Sequence, residues 1–158
     1  IRRFYSDVER VTPPGRAEAG DIMNVDTHYY IGLSERTNAE GARHVIDILN
    51  RYGMSGSTLD VNEGLHLKTG MAYLEHNNLV ISDGFLAEDT LDPFHTIVIP
   101  RQERYAANCI WVNDAVILPA GYPVARERIS NAGYSVLETD LSEFRKLDGG
   151  ASCLSLRF

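Results

Sequence analysis

Few side chains among these 158 residues combine the type and the setting that covalent chemistry requires. Cys153 lies in Leu147-Asp-Gly-Gly-Ala-Ser-Cys153-Leu-Ser-Leu-Arg-Phe158, where Gly149 and Gly150 let the backbone turn tightly and approach a ligand just before an expected strand. A thiol at such a strand mouth can act as a nucleophile when a histidine or a positive environment favours the thiolate. A lone cysteine is more often a buried structural residue, and Cys109, within Asn-Cys-Ile-Trp-Val, fits that description. His66 is bracketed by two glycines and two leucines in Gly64-Leu-His-Leu-Lys-Thr-Gly70. An imidazole there can serve as general acid and base, although on these residues alone a structural part is commoner. His28, His44, His76 and His95 read as solvated polar positions. Glu18, in Ala17-Glu-Ala-Gly-Asp21, is by itself only a loop acid before a strand. Arg36, in Gly32-Leu-Ser-Glu-Arg-Thr-Asn38, precedes a helix start, where its charge opposes the helix dipole.

Other chemistries find no support. There is no His-Glu-x-x-His pair, no paired cysteines, no acidic calcium loop, no phosphate loop and no dinucleotide glycine pattern, so no metal or cofactor is expected. The formal net charge is −7, and no segment gathers Lys and Arg, which argues against a nucleic-acid partner. That negative field mildly favours a cationic ligand. No apolar run approaches the ~18–20 residues of a membrane helix, and no apolar leader core follows the start. Two cysteines outside any pair, with no leader, suit a reduced, cytoplasmic protein.

The elements that must position these residues recur in one order. Residues 21–32 hold two short β-favouring runs around a polar turn at Asn24 and Asp26. Thr37 or Asn38 then caps a helix whose stripe is Ala42, Val45, Ile46, Leu49 and Tyr52, ending before Gly53, and a strand follows at 57–61. A second unit runs through strands 71–75 and 79–82 about His76-Asn77-Asn78, a weak helix at 85–91, and a strand at 95–99. A third has strands at 108–112 and 115–118 about Asn113-Asp114, a helix from Pro123 to Asn131, and a strand at 134–138. A short helix at 141–146 and a strand at 152–158 close the chain. Hairpins between helices argue against a simple parallel sheet, and repeats of ~40 residues suit a propeller-like array. With no linker or low-complexity tract, one domain over 1–158 is expected.

Five motifs occur in order: Glu18-Ala-Gly-Asp21, Gly32-Leu-Ser-Glu-Arg-Thr-Asn38, Leu65-His-Leu-Lys-Thr69, Ala107-Asn-Cys-Ile110 and Asp148-Gly-Gly-Ala-Ser-Cys153. Together they resemble the bacterial dimethylarginine dimethylaminohydrolases, of the guanidine-modifying superfamily that also holds arginine deiminases and amidinotransferases. The resemblance covers nearly the whole chain, from about Gly15 to Phe158. It implies an α/β fold, a five-bladed β/α propeller of ββαβ repeats, with about three of the five blades here. It further implies that Cys153 is the nucleophile, His66 the general acid/base and Glu18 the acid that orients His66. Arg36 would grip the substrate's α-carboxylate, and the backbone carbonyl of Leu147 would meet its amino group.

The implied reaction is hydrolysis of dimethylated or monomethylated arginine to citrulline and the methylated amine through a covalent thiouronium intermediate. In the deiminases and amidinotransferases the histidine is followed two residues on by an Asp that binds the guanidinium. Lys68 stands at that place, which suits a methylated nitrogen with no N–H to donate. Family members carry about two further N-terminal blades, and the chain begins on Ile1, so it reads as a C-terminal portion with a half-built pocket. Two alternatives stay open. One is an arginine-deiminase-like or other guanidine hydrolase; the other is a non-catalytic fragment or assembly module, whose open edges would self-associate.

Overall fold

The computed structural model describes residues 3–61, 63–86, 92 and 94–155. Three sheets of three strands follow one another along the chain, each an antiparallel hairpin joined by a parallel third strand. The first contains β1 (Ile22–Val25), β2 (His28–Leu33) and β3 (Ser55–Asp60), with α1 (Ala39–Arg51) between β2 and β3. A one-turn helix, α2 (Leu67–Gly70), leads to the second sheet: β4 (Met71–Tyr73), β5 (Asn78–Ser82) and β6 (His95–Ile99). The third holds β7 (Ile110–Val112), β8 (Ala115–Pro119) and β9 (Ser135–Thr139), with α3 (Pro123–Asn131) before β9 and the short α4 (Ser142–Arg145) after it. The first strands adjoin in turn, β1 beside β4 and β4 beside β7. These are three consecutive blades of a β/α propeller, and among the described residues the sheets do not close into a ring.

Local chemistry accounts for the punctuation. The hairpins turn at Asp26, at Asn77 and at Asn113-Asp114, all with positive φ, a region that short polar side chains tolerate. Asn38 caps α1, its side chain accepting the Gly41 N–H at 2.8 Å. Thr37 is instead buried and turned to Asp21. The N-terminus of α3 lacks a cap of its own, and Glu103 supplies one by accepting the N–H groups of Val124 and Ala125. One apolar cluster joins the second and third units through Leu74, Val80, Ile99, Val116, Leu118 and Ile129. Another joins the first and second through Met23, Leu59, Leu67, Met71 and Leu79.

Several expected elements differ. The α1 stripe sinks at Ala42 and Leu49, but Tyr52 lies past the last turn and is 56% exposed. The third strand of the first unit starts earlier, at Ser55, because the parallel register with β2 carries through Ser55 and Gly56 despite their weak strand preference. The strands expected at 71–75 and 108–112 are shorter, 71–73 and 110–112. Asn108 and Cys109 instead link β7 to a 3-10 segment, Arg101–Ala107, that the sequence pattern did not announce. Of the helix expected at 85–91, Phe85 and Leu86 form a bend, and 87–91 lie outside the described residues. The closing strand is not formed where it is described: Ala151–Leu154 is a turn whose Cys153 and Leu154 N–H groups both donate to the Gly150 carbonyl. Residues 156–158 of that expected strand lie outside the description.

Candidate active site

Three of the candidate residues meet at the junction of the first two units. Glu18 immediately precedes a 3-10 turn, Ala19–Asp21, and His66 immediately precedes α2. His66 Nε2 lies 2.7 Å from Glu18 Oε2, and Arg36 Nη1 lies 3.6 Å from the other oxygen, Oε1. One carboxylate therefore serves both side chains. The hydrogen bond with His66, reinforced by the Arg36 charge, holds the Glu18 carboxyl below the usual carboxylate range. Gly20 permits the approach, since a Cβ there would stand 2.6 Å from His66 Cγ.

The cluster is held by a residue that the sequence reading quoted but gave no part. Asp21 is fully buried, and its Oδ2 accepts hydrogen bonds from Ser34 Oγ (2.8 Å) and Thr37 Oγ1 (2.7 Å). Its Oδ1 accepts the Leu67 N–H at 2.8 Å, next to His66. Thr37 Oγ1 in turn accepts the Glu18 N–H, and Ser34 Oγ accepts the Arg36 N–H. Asp21 thus ties together the three segments that carry Glu18, Arg36 and His66. A buried carboxylate of this kind persists only when donors surround it.

Cys153 is exposed and sits in the turn after Gly149-Gly150. Its sulfur is 3.8 Å from Asn108 Nδ2, and Asn108 Oδ1 accepts the Ser152 N–H at 2.9 Å. The glycine next to the turn makes room for this amide: a Cβ on Gly150 would stand 2.3 Å from Asn108 Nδ2. Tyr105 Oη donates to the Gly149 carbonyl at 2.6 Å, and the Arg145 guanidinium lies over the Tyr105 ring and bonds Tyr122 Oη. Cys109 is the opposite case, a buried thiol pushed up to about 12 by its burial. Among the described residues, no hydrogen bond or ion pair joins Cys153 to His66.

Space lies on both sides of this junction. A cleft of about 650 Å³ is bordered by Gly64 and Leu65, which precede His66, by Asn108 and Tyr105, which hold the cysteine turn, and by Asp148. A second cavity of about 450 Å³ runs along β1, β4 and β7 and is bordered by Lys68, Trp111, Ser152 and Ser155. Lys68 therefore faces the inner strands and the residue beside Cys153. Leu147 follows α4 and is 87% exposed. Among the described residues, no three His, Cys, Asp or Glu side chains are grouped to hold a metal, and no helix is long and apolar enough to cross a membrane.

No protein-family model matches the chain. It is 58% identical over 159 residues to the N(G),N(G)-dimethylarginine dimethylaminohydrolase of Pseudomonas aeruginosa, covering 100% of this chain and 63% of that one. A structure of that P. aeruginosa enzyme, a cysteine-to-serine variant complexed with citrulline, superposes with a TM-score of 0.95 at 57% identity, over 100% of this chain and 62% of the other. The chain is a homologue of the bacterial dimethylarginine dimethylaminohydrolases. An amidinotransferase from Microseira wollei shares the fold at a TM-score of 0.78 with 14% identity, over 87% of this chain and 46% of that one. The chain spans just under two thirds of the length of the dimethylarginine dimethylaminohydrolase that it matches.

Proposed function

We propose that this chain carries the cysteine, histidine and orienting carboxylate of a dimethylarginine dimethylaminohydrolase, the C-terminal portion of its propeller. In that reading the Cys153 thiolate attacks the guanidinium carbon of a methylated arginine, forming a C–S bond. His66 protonates the departing nitrogen, and the C–N bond breaks to release the methylated amine, leaving a thiouronium on Cys153. A water then adds to that carbon, its proton passing to His66. The C–S bond breaks, giving citrulline and the free thiolate.

The observation that carries the reading is the 2.7 Å contact of His66 Nε2 with Glu18. A carboxylate in that position orients the ring. Two relatives lend support in the sequence. The cysteine replaced in one solved dimethylarginine dimethylaminohydrolase and the histidine replaced in another are separated by as many positions as Cys153 and His66 are here. Arg36, half exposed, is free to exchange its long contact with Glu18 for a substrate carboxylate, a task suited to the planar guanidinium. The exposed turn at Leu147 offers its carbonyl to the substrate's amino group.

Citrulline release from asymmetric dimethylarginine and from arginine, measured beside Cys153→Ser, tests this. The expected result is release from the methylated substrate, abolished by the substitution. Activity that survives in Cys153→Ser overturns the nucleophile, and faster turnover of arginine overturns the preference argued from Lys68. A folded protein inert to both substrates favours the assembly-module alternative.

A further inference from the structure

The side chain that touches the Cys153 sulfur belongs to none of the residues assigned above. Asn108 is 4% exposed and ends the 3-10 segment Arg101–Ala107, its N–H donating to the Tyr105 carbonyl. Both ends of its amide are spent on the cysteine turn. The Ser152 N–H can only donate, so the amide oxygen must face it, and the NH₂ must then face Sγ. Gly150 is pressed against the same amide so closely that no side chain fits between them. Tyr105, from the same segment, holds the turn at Gly149 but does not reach the sulfur through any hydrogen bond.

We infer that Asn108 both positions the Cys153 turn and stabilises the thiolate by donating an N–H to it. An N–H bond to an anionic sulfur is stronger than one to a neutral thiol, so the contact favours ionisation as well as placement. Asparagine suits the place because one planar group supplies an acceptor for Ser152 and a donor for sulfur. Aspartate would keep the acceptor and lose the donor; alanine would lose both. The inference rests on Cys153 being the nucleophile.

The test follows alkylation of Cys153 by iodoacetamide across pH, read by mass spectrometry at that residue, in the protein and in Asn108→Ala, Asn108→Asp and Tyr105→Phe. Alkylation does not require turnover, and buried Cys109 does not compete for the reagent. In Asn108→Ala the pH of half-maximal alkylation is expected to rise, slowing the reaction severalfold at neutral pH. In Asn108→Asp, close in shape, it is expected to rise at least as far, and this variant decides the matter if Asn108→Ala does not fold. Tyr105→Phe is the control: it loosens the turn at Gly149 while breaking no hydrogen bond to sulfur, and is expected to move the midpoint less than either Asn108 variant. An unchanged midpoint in a folded Asn108 variant, or an equal rise in Tyr105→Phe, overturns the inference. If citrulline release requires Cys153 while the Asn108 midpoints match the parent, the inference alone fails. If release survives Cys153→Ser, the failure lies in the proposed reaction.

Discussion

Replacing Asp21 by asparagine is expected to damage this protein far more than its near-identical shape suggests. Three donors converge on the Asp21 carboxylate at 2.7–2.8 Å, and its side chain has no exposure to water. Asparagine can keep the Leu67 N–H on its oxygen, but its NH₂ would then face the hydroxyls of Ser34 and Thr37. Ser34 Oγ already accepts two N–H groups, those of Arg36 and Thr37, and cannot take a third; Thr37 Oγ1 accepts one, from Glu18, and could take the amide hydrogen only by leaving its own O–H without a partner. Two buried hydrogen bonds are lost and donors oppose donors, at about 1–3 kcal/mol each. A total of roughly 3 kcal/mol is a large share of the ~5–15 kcal/mol that stabilises a domain. With a urea slope of about 2 kcal/mol per molar, the unfolding midpoint should fall by about 1.5 M at unchanged slope. Circular dichroism during urea titration reads this directly. A midpoint shift under ~0.3 M would refute the claim that Asp21 is a charged keystone and would mean that the hydroxyls reorient freely.

Further outcomes follow from the same geometry. The carboxyl of Glu18 should titrate below the ordinary value in the folded protein, so the His66–Glu18 contact is kept above that range and lost as pH falls through the lowered value. Carboxyl carbon shifts in NMR should show the Glu18 midpoint rising toward normal in His66→Ala, and rising less in Arg36→Ala; the reverse order would displace the hydrogen bond as the main cause. Native protein should take up one equivalent of iodoacetamide at neutral pH, on Cys153, and two after denaturation, because burial holds the Cys109 thiol near 12. Mass spectrometry that found Cys109 modified in the native state would contradict its burial. Gly20→Ala should cost citrulline release by displacing the His66 ring, since its Cβ would fall 2.6 Å from Cγ, while Gly53→Ala, with open space about its Cβ, should spare the site despite backbone strain.

The sequence made the hairpins legible because their turns need left-handed backbone, and Asp26, Asn77, Asn113 and Asp114 are the residue types that accept it. The helix over 39–51 was legible from an asparagine cap and a 3.6-residue stripe. The expected strand at 152–158 misled because alternating Leu154 and Leu156 look like strand residues, whereas the chain about Cys153 coils back on the Gly150 carbonyl. The segment 101–107 was illegible for a different reason: it is short, kinked at Glu103 and without a periodic stripe. Among the site residues, Glu18, Arg36 and His66 could be named from their motifs, yet their meeting at one carboxylate depends on Asp21, whose contacts lie 13, 16 and 46 residues away. Asn108 and Cys153 are 45 residues apart, and no local pattern encodes such a pair.

Each of the three blades contributes a different part of the site, and this makes the packing between blades a determinant of its chemistry. Glu18 and Arg36 flank the first sheet, His66 leads into the second, and Asn108 leads into the third, where it holds Cys153. The separation between His66 and Cys153 is therefore set by how β4 sits between β1 and β7. Two buried polar side chains fix the site to that frame: Asp21 reaches across the first junction to α2, and Asn108 reaches from the start of the third blade to the cysteine turn. Apolar contacts could bring these segments together but could not select one register, because dispersion is nearly blind to direction whereas an N–H to a buried carboxylate or amide oxygen is not. In the proposed reaction a thiolate and an imidazole must act on one carbon and need that selection, and the interior supplies it with hydrogen bonds.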